Sequence, residues 1–210
     1  MKKQQNYQID PDKFLSRDER KKLLKTCRDQ AELDLLHGRR AWIVRYMLID
    51  LALYSGLRVA EIAALKIEDL YLKLTDPYLI VRNGKGSKKR TVYLDLVLVK
   101  HLKDFIELKK KSLEESIEPD APLFTGRNGD HCQPITLMKS FKRAAEDANL
   151  PDYYSIHSCR HTYATYLLFD TKNLRYVQKQ LGHADIGMTA LYSGILPEEN
   201  GHLANQIVRD

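Results

Sequence analysis

Six polar residues occur in fixed order along the chain: Arg58, Lys85, His157, Arg160, His183 and Tyr192. Two arginines and at least one histidine brought to one point would cage a phosphoryl group, because planar guanidinium forks match its oxygens and stay charged at any cellular pH. A tyrosine hydroxyl can then attack phosphorus, and a lysine on the far side can protonate the departing oxygen. The pattern reads as phosphoryl transfer without a metal. The carboxylates are scattered rather than clustered around an ion, and no GxxxxGK[ST] loop is present.

The elements that must position these groups can be read around them. Arg58 lies in Tyr54-Ser-Gly-Leu-Arg-Val-Ala-Glu61, where Ser55 and Gly56 break one apolar helix and Arg58 and Glu61 share a face of the next. His157 and Arg160 stand at the same i, i+3 spacing in Ser155-Ile-His-Ser-Cys-Arg-His161, and Leu181-Gly-His183 reads as a helix ending at a glycine with an imidazole just past it. Ser16 with Glu19 forms a capping box opening a helix to about Arg28, and Ala41 to Tyr54 reads as a core helix. Tyr78-Leu-Ile-Val81 and Thr91-Val-Tyr-Leu94 are β-rich runs on either side of Asn83-Gly84, a hairpin with a basic tip suited to a groove. Asp95 to Lys111 carries apolar residues at helical spacing, Glu118 to Gln133 is a connector, and helices return at Pro134 to Ala148 and His157 to Phe169. The fold class expected is mainly α with a small antiparallel hairpin, an α+β arrangement.

In these stretches the chain resembles the catalytic domain of the tyrosine recombinases, the phage integrase family. The resemblance rests on Gly56-Leu-Arg-Val-Ala-Glu-Ile-Ala-Ala-Leu65, Asn83-Gly-Lys-Gly-Ser-Lys-Lys-Arg90, His157-Ser-Cys-Arg-His-Thr-Tyr-Ala-Thr165 and Leu181-Gly-His-Ala-Asp-Ile-Gly-Met-Thr-Ala-Leu-Tyr192. Each alone is weak; the four in order, from about Phe14 to Tyr192, are specific. The resemblance implies a DNA breaking-rejoining fold and a site-specific recombinase. Tyr192 would attack a phosphodiester to give a 3′-phosphotyrosyl link and a free 5′-hydroxyl, with Arg58 and Arg160 on the non-bridging oxygens. His157 would assist proton transfer from the tyrosine, His183 would donate a hydrogen bond to the phosphate, Lys85 would protonate the 5′-oxygen, and Glu61 would orient Arg58. No cofactor is implied. The partners implied are double-stranded DNA and, on paired sites, further copies of the chain in a homotetramer; the free protein would be a monomer or weak oligomer.

Each residue also has a plainer reading. Alone, Arg58 is a helix-end charge. Lys85 sits in a basic run with Arg82, Lys88, Lys89 and Arg90, the expected DNA-backbone contacts, and by composition any of the three lysines could be the reactive one; only the resemblance favours Lys85. His161 reads as a structural hydrogen-bonding histidine, and Tyr192 is one of twelve tyrosines. A zinc site drawn from His131, Cys132, His157, Cys159 and His161 matches no usual ligand spacing, and Cys159 reads as a small buried residue. A type IB topoisomerase, or a DNA-binding accessory protein with a silent fold, are the rival functions.

A net charge of +6 over 210 residues adds a modest pull toward polyanions. Lys109 to Lys111 form a second basic knot, but Glu107, Glu114 and Glu115 flank it, the pattern of a solvated helix end. With no secretory or membrane-spanning stretch read in the sequence, a soluble, cytoplasmic, DNA-associated protein is expected. Residues 1–13 read as a flexible tail, 14–197 as the catalytic domain and 198–210 as a C-terminal segment whose Leu203, Ala204, Ile207 and Val208 stripe docks on its own core or on a neighbouring protomer. Members of the family usually carry a helical DNA clamp ahead of this domain, whereas thirteen residues precede Phe14, as in an excised catalytic domain or a short member such as the fimbrial phase-switch invertases.

Overall fold

A computed structural model describes residues 11–82, 89–183 and 187–192. The hairpin tip with Lys85 and Lys88, and the C-terminal segment 198–210, lie outside these described residues. Helix α1 (Arg17–Leu36) opens on the expected capping box: the Ser16 hydroxyl accepts from the Glu19 N–H at 3.3 Å while the Ser16 N–H donates to the Glu19 carboxylate at 2.8 Å. It runs eight residues past the expected end, because nothing before Gly38 breaks it. Just ahead of it Pro11–Lys13, inside the stretch expected to be a tail, forms a 3-10 turn against the helix Ile156–Thr171.

Helix α2 (Ala41–Ser55) is apolar all round and is the central strut, packed by α1, by α4 (Leu96–Lys111), by α5 (Pro134–Asp147) and by α6 (Ile156–Thr171). A helix hydrophobic on every side is stable only when enclosed, and Met47, Leu48, Ile49, Leu51, Ala52 and Leu53 are buried. It stops where the Ser55 hydroxyl turns back to donate to the Leu51 carbonyl at 2.6 Å and Gly56 takes φ 63°. A side chain at Gly56 would run into the Tyr163 ring. The short α3 (Val59–Ala63) starts immediately after.

The sheet has three antiparallel strands in the order β1-β2-β3: β1 (Leu70–Tyr71), β2 (Tyr78–Val81) and β3 (Arg90–Tyr93). The hairpin pair was legible; the two-residue β1 was not. Alternation sends Leu79, Val81 and Val92 into the core, while Tyr71, Tyr78 and Tyr93 form a row across the other face with Tyr71 stacked on Tyr78 at 4.5 Å. Val81 pairs with Arg90, so the same alternation turns Arg90 inward. Helix α7 (Leu174–Leu181) packs on β3 and α6, and α8 (Gly187–Ala190) follows. Leu168, Val177, Leu181 and Tyr192 make a small second core beside the main one.

The Lys109 to Lys111 knot needs correction. Lys111 is exposed beside Glu107, but Lys109 continues the buried line Leu98, Leu102, Phe105 and is fully enclosed, its ammonium donating to Glu115 at 2.5 Å and to the Thr125 hydroxyl at 2.7 Å. No helix among the described residues is long and apolar enough to cross a membrane.

Candidate active site

The α2–α3 corner presents Arg58. Its backbone is extended at the head of α3, so its N–H points at the helix and donates to Glu61 Oε2 at 2.8 Å, while Nη1 donates to Oε1 at 3.0 Å. Glu61 is buried. Burial works to raise its pKa, but hydrogen bonds from Arg90 and from the Arg58 N–H more than offset this and hold it below the usual carboxylate range. The Arg58 side chain is 36% exposed, and its outer edge faces solvent.

Arg160 lies in the second turn of α6 and is buried. Its Nη1 donates to the Gly56 carbonyl at 2.5 Å and Nη2 to the Leu181 carbonyl at 2.8 Å. One guanidinium thus ties the corner two residues before Arg58 to the helix end two residues before His183. Burial, then the nearby Arg58 charge, push its pKa down to about 10, which leaves it a cation at neutral pH. His157, three residues earlier, is exposed on the first turn, lining a cavity with Lys13, Tyr153, Ser155 and His161. The shared spacing therefore splits the pair, one side chain inward and one toward solvent.

Helix α7 ends as expected, with Gly182 at φ 65° and its N–H returning to the Gln178 carbonyl at 2.9 Å. His183 follows, with Nδ1 2.9 Å from the Thr189 hydroxyl. Burial, then Arg160, Arg58 and Arg90, push its pKa down to about 4, so the imidazole is neutral at pH 7. Tyr192 is buried, its hydroxyl 3.0 Å from His161 Nδ1. Burial and Arg160 likewise push His161 down to about 4. His161 is a hydrogen-bonding histidine, as read from the sequence, and its partner is the candidate nucleophile, a link across 31 residues that no local signal announces.

Within the basic run, Lys89 is exposed, whereas Arg82 is half-engaged: it pairs with Asp69 and, at 3.2 Å, with Glu68 while remaining 40% exposed. Arg90 turns largely away from solvent and grips Glu61 through two parallel hydrogen bonds of 2.7 and 2.8 Å. The zinc candidates go separate ways: Cys159 is enclosed in the core and His131 Nδ1 sits 2.9 Å from the Ala63 carbonyl. Among the described residues no three His, Cys, Asp or Glu side chains gather as metal ligands.

Arg160 thus links the backbone beside Arg58 to the backbone beside His183, and Tyr192 meets His161, the residue next to Arg160. Two cations and a neutral imidazole there suit a tetrahedral anion, with a phenol as attacking group.

The sequence model of the phage integrase family matches residues 13–199. The chain is similar to a tyrosine recombinase of Thermosipho africanus, 32% identical over 152 residues that cover 72% of this chain and 50% of that protein. It is also similar to tyrosine recombinase XerC of Neisseria meningitidis, 34% identical over 148 residues, 70% of this chain and 46% of that one. Among solved structures, XerA recombinase superposes with a TM-score of 0.72 at 25% identity, over 98% of this chain and 68% of that one. The XerH site-specific recombinase, in a post-cleavage complex with a palindromic difH substrate, superposes with a TM-score of 0.74 at 25% identity, over 91% and 52%. The chain spans about half the length of the curated relatives it matches.

Proposed function

The chain belongs to the phage integrase family, and from that premise we propose that it is a site-specific DNA recombinase that breaks and rejoins strands through a 3′-phosphotyrosyl intermediate. The Tyr192 oxygen attacks the scissile phosphorus, the new P–O bond to tyrosine forms, and the P–O bond to the 5′-oxygen breaks. His157 takes the phenolic proton, and Lys85 supplies one to the departing 5′-oxygen. Arg58 and Arg160 hold the non-bridging oxygens and gain most as negative charge builds on them. Attack by a 5′-hydroxyl from another strand reverses the step, which conserves bond energy and needs no nucleotide cofactor. Tyr192 is buried against His161, so it leaves that contact before meeting a phosphodiester; this supports a reaction that waits for DNA and for assembly of the proposed tetramer. Lys89 and the exposed edge of Arg82 would flank the backbone.

The observation that supports this reading best is the Arg160 guanidinium, which ties the carbonyls two residues before Arg58 and two residues before His183, while His161, next to Arg160 on α6, meets the Tyr192 hydroxyl. The test is capture of detergent-resistant protein–DNA adducts from nicked, fragmented DNA, with wild-type protein and Tyr192→Phe side by side, and sequencing of what is trapped. Adducts that require Tyr192 and share a sequence are expected. Adducts that survive Tyr192→Phe would contradict the assignment, and adducts scattered over all sequences would turn it toward a topoisomerase.

A further inference from the structure

Resting on the reading of Arg58 as a phosphate ligand, we infer that Arg90 is a positioning residue for that site: it occupies the Glu61 carboxylate so that Arg58 keeps an unneutralised edge for phosphate, and it fixes the end of α7 to the same carboxylate. A basic run beside a hairpin tip invites the opposite reading, that Arg90 touches DNA. Strand alternation decides otherwise. Arg90 pairs with Val81, whose side chain is buried, and lies two residues from buried Val92 on the same inward face.

The carboxylate of Glu61 has roughly four lone-pair sites. Oε1 accepts from Arg90 Nη1 at 2.7 Å and from Arg58 Nη1 at 3.0 Å; Oε2 accepts from Arg90 Nη2 at 2.8 Å and from the Arg58 N–H at 2.8 Å. Arg90 therefore takes the fork-to-fork geometry, and Arg58 is left with one side-chain hydrogen bond to Glu61. The exposures agree: the Arg90 side chain is 13% exposed and that of Arg58 36%. In charge, two guanidiniums on one carboxylate leave one positive charge beside Arg160. Without Arg90, Glu61 would pair with Arg58 alone and cancel it.

The third contact runs to α7. Arg90 Nε donates to the Gln180 carbonyl at 3.3 Å, and its side chain lies against Gly182 so closely that a Cβ there would sit 2.6 Å from the arginine Cδ. The next carbonyl, that of Leu181, holds Arg160, and His183 follows Gly182. Arg90 is thus a second joint, beside Arg160, between the Arg58 half of the site and the His183 half. An arginine that reached out to DNA would surrender all of these contacts.

The inference is tested with Arg90→Met, Arg90→Lys and the double variant Arg90→Met/Glu61→Gln. Two quantities are measured on protein shown by melting to be folded: the dissociation constant for inorganic phosphate, and the rate of Tyr192-dependent adduct formation at saturating DNA. Arg90→Met leaves Glu61 free to neutralise Arg58, so phosphate affinity and adduct rate are each expected to fall by roughly tenfold or more. Arg90→Lys keeps the charge without the fork and should fall in between. The double variant removes the competing carboxylate, and it should bind phosphate more tightly than Arg90→Met alone. A double variant no better than Arg90→Met, or wild-type phosphate affinity in Arg90→Met, overturns the inference. If the phosphate series behaves as expected while even wild-type protein forms no adduct, the positioning role stands and the recombinase reading fails.

Discussion

Two enclosed cations in this chain are treated in opposite ways. Lys109, at the end of α4, is met by the Glu115 carboxylate, which Arg40 also grips from the rim, and by the Thr125 hydroxyl. Arg160, in α6, is met by two backbone carbonyls, and among the described residues no carboxylate lies within ion-pair distance of it. Carbonyl dipoles satisfy its N–H groups without cancelling its charge. The histidines repeat the contrast: His183 and His161 are pushed down to about 4 by burial and neighbouring cations, whereas His101 is raised by its hydrogen bond to buried Asp50, 2.8 Å away. The α4 side balances its charge internally. The Arg160 side leaves positive charge unspent, which suits the phosphodiester of the proposed reaction.

The sharpest way to break this comparison is to alter each cation in turn. Arg160→Lys keeps the charge but cannot span both carbonyls or grip a phosphate bidentately, and Tyr192-dependent adduct formation is expected to drop by at least about a hundredfold, measured per folded molecule. Lys109→Met leaves Glu115 half-compensated in a buried position. It should cost about 3 kcal/mol of stability in urea denaturation while leaving the adduct rate of the folded fraction unchanged. Equal loss of rate in both variants would erase the distinction between the two regions.

Acid sharpens the contrast further. His161 and His183 titrate near 6.5 when unfolded and near 4 when folded, so between those values the unfolded chain binds more protons. The stability tied to them is complete above pH 6.5 and falls as pH drops toward 4, and the melting temperature should fall across that window, less steeply in His161→Gln. His101 runs the other way. Its folded pKa is raised, so its contribution is complete below 6.5 and is lost as pH climbs through the higher folded value. His101→Gln is expected to give the smallest effect of the set: a flatter melting profile on the alkaline side, with no change in adduct formation.

Much of the scaffold was legible because it follows from local rules. The capping box at Ser16, the break at Ser55-Gly56, the glycine stop before His183 and the hairpin pair all appear where the residues ask for them. One misreading had its signal in the sequence: Lys109 continues the helical spacing of Leu98, Leu102 and Phe105, yet charge alone suggests solvent. The inward turn of Arg90 follows likewise from its alternation with Val92. The remainder depends on distant chain. Glu61 meets Arg90 across 29 residues, Arg160 meets the Gly56 carbonyl across 104, and His161 meets Tyr192 across 31; such pairings depend on packing that no window of sequence contains.

The most direct measurement is a nitrogen-15 NMR titration with inorganic phosphate that follows the Arg160 guanidinium and the Lys109 ammonium in the same sample. Saturable shifts are expected at Arg160, with Lys109 unmoved because its charge is already answered by Glu115. A silent Arg160, or a Lys109 that responds alongside it, would contradict the claim that this chain keeps an unspent cation for phosphate.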